Sequence, residues 1–142
     1  MSKDAEILAK HNVMMAKESE NVDIDFDTTL AGISSVLDDN SKGFYLVTEE
    51  KGDIVGQLMI TYEWSDWRNK VIWWIQSVYV SSNFRLKGVF SGLLQAVYSL
   101  GEKEGVSCFR LYVHCSNSGA IEVYRKLNLA EGKYVMFEFC KD

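Results

Sequence analysis

The sequence contains no proline, so the kinks and fixed turns that proline imposes are absent, and element boundaries have to be read from glycine and polar residues. Cysteine is also scarce: Cys108, Cys115 and Cys140 are an odd number with no close pair. This pattern argues against both a disulfide framework and a zinc site. We therefore expect no bound metal, a reducing, cytoplasmic location, and thiols that act as small apolar side chains in strands or at strand ends.

Long apolar runs are missing as well. The stretch Val71–Ile75 is among the longest, far short of the roughly 20 residues that a membrane-spanning helix needs. The first residues do not combine a basic stretch with an apolar one, as an export signal would. We therefore expect no membrane association, and a chain of 142 residues with 47% apolar content suits one compact domain over residues 1–142.

The net charge of −5 is unevenly distributed. Residues 1–66 carry 14 acidic and 5 basic side chains, whereas residues 67–142 carry 6 and 10. The overall sign argues against nucleic acid as a partner. Either the basic half holds an anionic cofactor while the acidic half receives a cationic substrate, or the difference is ordinary scatter of surface charge.

Apolar spacing predicts that helices come first and strands follow. Residues 4–18 and a second segment containing Leu30, Ile33 and Leu37 repeat at helical intervals, with Asp27 or Thr28 as the cap of the second helix. Residues 43–48 and 53–62 are rich in residues that favour strands, and the glycine-containing turn between them predicts a hairpin. Residues 71–80 form a third predicted strand.

The second half alternates between helix and strand patterns. Helical spacing over residues 88–104 lies between the third strand and a predicted strand at residues 107–113, which suits a crossover connecting two parallel strands. A helix over residues 118–127 and a last strand over residues 134–139 complete the chain. The fold class is therefore α+β: a mixed, mostly antiparallel sheet with a central parallel pair, flanked by helices.

The segment that joins the third strand to the next helix has the features of an anion site. The first amide groups of a helix lack internal partners and lie at the positive end of its dipole, so they can receive phosphate oxygens. Gly88 allows close approach of the backbone, Arg85 and Lys87 add cationic donors, and Ser91 adds a hydroxyl.

The order of these residues resembles the GCN5-related N-acetyltransferase (GNAT) family. In that family a strand ending in valine precedes an Arg/Gln-x-x-Gly-x-Gly/Ala loop and a long helix, and here Val80 is followed by the loop 85–90. The family's second mark is an Asn, an Ala and a Tyr around the next helix, matched by Asn117, Ala120 and Tyr124. The resemblance covers most of the chain and implies the family's mixed sheet, acetyl-CoA as cosubstrate, and no metal.

The resemblance also implies roles for individual residues. The loop amides would hold the CoA pyrophosphate, the edge of the third strand would bond the pantetheine arm, and Asn117 would touch that arm. Tyr124 would donate a proton to the departing thiolate, which is plausible because tyrosine has an ordinary pKa of about 10, similar to that of a thiol. The implied cofactor-binding set is Val78, Tyr79, Val80, Arg85, Leu86, Lys87, Gly88, Val89, Phe90, Ser91, Asn117, Ala120 and Tyr124.

Two departures from the family pattern stand out. Phe90 occupies a position where the family has Gly or Ala, so either the loop curves differently or Phe90 is the first core residue of its helix. Ser91 directly after it would compensate. The chain also starts with a helix, which leaves little room for the family's short first strand. An edge of the sheet is then bare or covered by a partner, for which a second copy in a homodimer is one candidate.

The acceptor half of the reaction is less determined. Acyl transfer needs a neutral amine, so a carboxylate or a water chain must accept its proton. Relatives place a Glu on the strand before the loop, where this chain has Gln76. Glu63 is the candidate base, with Asp66 and water as alternatives, although an exposed carboxylate at a strand end is usually only solvated.

Aromatic residues surround the expected substrate side. Trp64 and Trp67 are candidates for lining a pocket, whereas Trp73 or Trp74 should be buried because alternate strand residues face opposite sides. His114, at a strand end before Asn117, can exchange protons at neutral pH but is more often structural in such a position.

Two main functions fit the sequence. The first is an acetyl-CoA-dependent transferase acting on a primary amine of a small molecule or peptide. The second is a non-catalytic acyl-CoA sensor or interaction module with the same fold, suggested by Phe90 and Gln76. A nucleotide-binding domain that uses the same helix start is a third reading.

Overall fold

The computed structural model describes residues 3–141 and contains four α-helices and four strands in that range. Each helix was predicted from the spacing of its apolar residues. No helix among these residues has both the length and the apolar composition required to cross a bilayer. The elements in chain order are α1 (Lys3–Glu20), α2 (Phe26–Asp38), β1 (Phe44–Glu50), β2 (Asp53–Ser65), β3 (Lys70–Val80), α3 (Val89–Lys103), β4 (Cys108–Arg110) and α4 (Ser118–Lys126).

The four strands form one mixed sheet in the order β1-β2-β3-β4. β1 pairs antiparallel with β2, β2 antiparallel with β3, and β3 parallel with β4. The α+β prediction and the parallel crossover through α3 are therefore confirmed. Within residues 3–141, no strand pairs with the outer edge of β1, which leaves both expected alternatives, a bare edge or one covered by a partner.

The two faces of the sheet carry different helices. Leu58 and Ile60 of β2 belong to the main core with Leu94 and Val97 of α3, and full burial of each such side chain contributes about 1.5–3 kcal/mol. Gln57, which directly precedes Leu58 in β2, is fully buried, and its side chain turns to α1. Successive strand residues point to opposite faces, so α1 and α3 lie on opposite sides of the sheet.

The face toward α1 includes a polar network within its packing. Gln57 Nε2 donates to Asn12 Oδ1 at 3.0 Å, and Gln57 Oε1 lies 2.7 Å from His11 Nδ1. Buried polar groups are tolerated when they are paired in this way. A smaller apolar cluster beside it joins α1 to α2. Trp73 is the tryptophan that enters the main core, as expected for one of the adjacent pair Trp73 and Trp74.

An additional residue in β3 interrupts its pairing with β2. The register runs from Gln57 opposite Tyr79 to Met59 opposite Gln76, so three steps of β3 match two steps of β2. Ser77 takes a left-handed conformation with φ of 52° at this bulge. A bulge of this kind bends the strand and changes which residues share a face. As a result Tyr79 turns to α1, where its ring lies 4.9 Å from that of His11.

The structure corrects two predicted strands. The strand expected at residues 107–113 contains only Cys108–Arg110, because β3 and the following chain separate after the Trp74–Arg110 pair. Residues 134–139 form no strand, since no neighbouring backbone pairs with them and their side chains remain exposed, 92% for Phe137. Two cysteines also differ from expectation: Cys115 and Cys140 are exposed rather than packed within strands.

Candidate active site

A cavity of about 640 Å³ lies where β3 separates from the chain that follows β4. Residues 75–80 line one side and residues 111–114 line the other. α3 contributes Phe90, whereas α1 contributes Met15, Glu18, Ser19 and Glu20. Since α1 and α3 lie on opposite faces of the sheet, the cavity spans the sheet and is lined from both faces.

The loop before α3 presents backbone groups near one mouth of this cavity. Gly88 is the N-cap residue, with φ of 79° and ψ of 10°, a left-handed conformation that favours glycine. No side chain caps this end of the helix, so the first-turn amides of α3 are not used by a capping group. Leu86 also has a positive φ and its side chain is fully exposed. The backbone here fits an anion that approaches from solvent.

The two cations predicted for this loop have different surroundings. The ammonium group of Lys87 lies 5.7 Å from the ring centroid of Phe84 and stays beside the loop. Arg85 turns toward α1 instead: its Nε donates to the carbonyl oxygen of Val80 at 2.8 Å and its Nη2 to Glu18 Oε2 at 2.7 Å. Of the two, Lys87 is therefore the one that keeps its charge beside the backbone of the loop.

Phe90 and Tyr124 pack together at the wall of the cavity. Phe90 is the second residue of α3 and, like Val89 before it, packs against the main core, so the alternative in which Phe90 serves as a core residue at the start of its helix applies. Its ring centroid lies 5.6 Å from that of Tyr124. Burial raises the pKa of the Tyr124 hydroxyl, which keeps it protonated at neutral pH.

α4 places its functional residues through a side-chain cap. Asn117 is the N-cap, and its Oδ1 accepts from the backbone amide of Ala120 at 3.2 Å. This leaves the side-chain NH₂ of Asn117 as a donor toward the cavity it lines. Ala120 and Tyr124 are four residues apart, so they share one face of α4, and both line the cavity.

The structure brings together eight of the residues predicted for the cofactor site. Lining the cavity are Val78, Tyr79, Val80, Arg85, Phe90, Asn117, Ala120 and Tyr124. Leu86, Lys87, Gly88, Val89 and Ser91 belong to the adjoining loop and first turn of α3, where the predicted contact is with backbone amides.

Glu63 lies elsewhere. It faces Ile72 in the β2–β3 ladder, accepts from Trp74 Nε1 at 2.8 Å and lies 3.6 Å from Arg110 Nη1. It lines a separate cavity of about 250 Å³ together with Trp64, Asp66 and Trp67. The candidate base and the two tryptophans are thus not brought to the larger cavity, and the assignment of Glu63 as a base stays a prediction without support from its position.

Replacement of Glu63 by glutamine tests that assignment. We expect kcat to stay within about twofold of wild type. The introduced amide would still offer an oxygen to Trp74, and the charge that is lost lies outside the larger cavity. Steady-state rates between pH 6 and 9 give the answer. A fall of more than about tenfold that is largest at high pH and narrows as the pH is lowered would instead identify Glu63 as the proton acceptor, because a protonated carboxyl cannot act as a base in the wild type either.

The end of α1 also forms part of the wall of the cavity. Met15, Glu18, Ser19 and Glu20 line the cavity, yet nothing in their local pattern places them beside residues more than 50 positions away. His114 also lines the cavity, and its Nδ1 lies 2.7 Å from Ser116 Oγ. Within residues 3–141 there is no group of His, Cys, Asp and Glu side chains suited to a metal ion.

Comparison with known proteins agrees with this geometry. The family described as the Acetyltransferase (GNAT) family matches residues 11–129, which include every residue that lines the larger cavity. The chain belongs to the GNAT family. The resemblance drawn from the loop at 85–90 and from Asn117, Ala120 and Tyr124 is therefore confirmed, and with it the identification of an acetyltransferase domain.

Individual GNAT relatives extend the likeness. A possible acetyltransferase from Clostridium difficile 630 has 41% identity and a TM-score of 0.89, with 96% of this chain and 90% of that chain covered. A predicted acetyltransferase from Clostridium acetobutylicum, solved with acetyl-CoA, shares the fold at 15% identity and a TM-score of 0.77, with 96% and 90% covered.

One curated relative is an uncharacterised N-acetyltransferase of Methanocaldococcus jannaschii. It is 30% identical over 94 residues, which are 66% of this chain and 41% of the relative. The matched part of the chain thus spans about two fifths of that protein's length.

Proposed function

We propose that residues 1–142 form a single, cytoplasmic N-acetyltransferase domain that transfers an acetyl group from acetyl-CoA to a primary amine of a small molecule or peptide. The observation that carries this proposal is the cavity through the sheet. It joins Tyr124 and the edge of β3 to the acidic end of α1, so a thioester and an amine can meet from opposite faces.

Acetyl-CoA fits the face that carries the loop before α3. The amides of residues 86–91 and the ammonium group of Lys87 are suited to the pyrophosphate. β3 pairs with β4 only over Ile72–Trp74, so its outer edge from Ile75 to Val80 has no strand partner within residues 3–141. Amide groups of the pantetheine arm can bond that edge as an added strand would. The Clostridium acetobutylicum neighbour, solved with acetyl-CoA, supports this cosubstrate.

Direct transfer accounts for the chemistry. The amine nitrogen attacks the thioester carbonyl carbon, the bond from carbon to sulfur breaks, and the sulfur takes the proton of the Tyr124 hydroxyl. The proton that the amine loses leaves through water, and Tyr124 regains a proton from solvent. The raised pKa of Tyr124 supports this role, because the hydroxyl holds its proton until the thiolate forms.

The acceptor is proposed to enter from the side of α1. Glu18 and Glu20 are the acidic side chains that line the cavity within the described range, and both lie in the last turn of α1, where the helix dipole is negative. This side favours an amine that carries positive charge before it reacts. Gln76 Nε2 of β3 donates a hydrogen bond to Thr61 Oγ1 at 2.5 Å. Since Gln76 offers no carboxylate, the proton of the amine is proposed to pass to water.

Release of CoA thiol from acetyl-CoA in the presence of an amine panel tests the proposal. The panel should contain polyamines, amino sugars and peptides with free N-termini. We expect turnover with at least one cationic amine and stabilisation against heat by CoA but not by ATP or NAD. Tight CoA binding without turnover of any amine would contradict catalysis and favour the acyl-CoA sensor, the function that Gln76 suggests.

A further inference from the structure

Arg85 makes three contacts, and none of them is with residues 86–91, the segment proposed for the pyrophosphate. Its Nε donates to the carbonyl oxygen of Val80, its Nη2 donates to Glu18 Oε2 at 2.7 Å, and its guanidinium carbon lies 5.4 Å from the ring centroid of Tyr79. The forked guanidinium thus bonds the end of β3 and the end of α1 at once, a geometry that a single ammonium group lacks.

Tyr79 is a buried residue on which the guanidinium of Arg85 packs. Tyr79 is 4% exposed, and its ring contacts both the guanidinium of Arg85 and the ring of His11. The hydroxyl of Tyr79 also reaches Met14 Sδ at 3.9 Å. His11, Met14 and Glu18 are spaced by three and four residues, so they form one face of α1.

The pair of Arg85 and Glu18 therefore differs from an ordinary surface ion pair. Such pairs contribute little when both side chains move freely in water. Here the two side chains are 43% and 45% exposed, yet the guanidinium rests on a buried ring and has a second hydrogen bond to the backbone. These contacts restrict Arg85 to one orientation.

We propose that Arg85 is a positioning residue that, with Glu18, holds the last turn of α1 against the end of β3 and so shapes the entrance for the amine. This rests on the proposed function, because it assigns the α1 side of the cavity to the acceptor. Arg85 immediately precedes residues 86–91, whose amides are proposed for the pyrophosphate, so its side chain links this segment to the end of α1. The phosphate itself is bound by backbone amides and Lys87.

Substitutions at Arg85 separate this role from direct phosphate binding. Arg85→Lys keeps the positive charge that a phosphate needs but loses the fork that joins Val80 to Glu18. Arg85→Gln loses both, and Glu18→Gln removes the partner. We expect all three variants to raise KM for the amine by about fivefold to tenfold, with kcat and the Kd for CoA within about twofold of wild type. The double variant E18Q/R85Q should be no worse than either single one.

Matched controls complete the experiment. Lys42→Gln breaks an ion pair of the same 2.7 Å length, with Asp39 at the end of α2. This variant should change neither KM for the amine nor the Kd for CoA. Lys87→Gln should weaken CoA binding while leaving KM for the amine unchanged. Amide hydrogen exchange of residues 15–20 should quicken in the Arg85 and Glu18 variants but not in Lys42→Gln.

The proposal is overturned if Arg85→Gln weakens CoA binding by more than about tenfold while Arg85→Lys restores it, since Arg85 would then be a phosphate ligand. It is also overturned if Glu18→Gln leaves both KM for the amine and hydrogen exchange at wild-type values. Failure of the proposed function would be recognised separately, because the wild-type protein would then show no turnover with any amine, whatever the exchange of residues 15–20 shows.

Discussion

Replacement of Tyr124 by phenylalanine is expected to lower kcat by about 10²- to 10⁴-fold, the usual contribution of a general acid, while the Kd for CoA changes by less than about twofold. The substitution removes only the hydroxyl, and the ring that packs on Phe90 remains. Steady-state kinetics with the best amine of the panel and calorimetric titration of CoA measure the two constants. An unchanged kcat would show that solvent protonates the thiolate.

The pH dependence sharpens this prediction. Burial raises the pKa of Tyr124, so the wild-type enzyme should keep its acid at every pH below the ordinary tyrosine value of about 10. Its rate should rise with pH as the amine loses its proton and fall only above that value. Tyr124→Phe should keep the rise and lack the fall. Tyr98→Phe, which alters a tyrosine of α3 outside the cavity, should behave as wild type.

Replacement of Gly56 by valine is expected to damage both stability and cofactor binding. Gly56 lies in β2 opposite Val80, and a Cβ there would lie 2.6 Å from Val89 Cγ1 and 3.4 Å from Leu93 Cδ1. Overpacking of this kind costs about 1–3 kcal/mol. Because Val89 is the first residue of α3, relief of the clash displaces the helix start and its amides, so CoA affinity should fall by about tenfold or more.

Gly32→Ala is the matched control for Gly56→Val. Gly32 is in the middle of α2, and apart from its two chain neighbours and the backbone of its own helix, a Cβ there would have no heavy atom within 4 Å. Alanine should stabilise the protein by up to about 1 kcal/mol through its helix propensity, with CoA binding unchanged. Urea denaturation gives the free energies of unfolding. Equal stability of the Gly56→Val variant and wild type would contradict the close packing of α3 on β2.

The features that the sequence predicts correctly depend on neighbouring residues. The start of α3, with Gly88 at the cap, and the spacing of Asn117, Ala120 and Tyr124 follow from helix geometry, which acts over one or two turns. For Phe90 the sequence left two alternatives, and a core position in the first turn of α3 was one of them because that position is set by helix geometry.

The features that the sequence misses depend on tertiary pairing. Residues 134–139 have the composition of a strand, but a strand also needs a partner, and none pairs with them. Glu63 is placed by the register of β2 against β3, which sets it beside Trp74 and away from the cavity. The contact between Arg85 and Glu18 joins residues 67 positions apart, so no local pattern predicts it.

The cavity that passes through the sheet has a consequence for the order of events in turnover. With one mouth for the thioester and another for the amine, neither ligand blocks the path of the other, and both can be present together. Under the proposed function, acetyl transfer would then require no acylated enzyme and no exchange of ligands in a shared channel. We expect CoA to compete with acetyl-CoA and not with the amine.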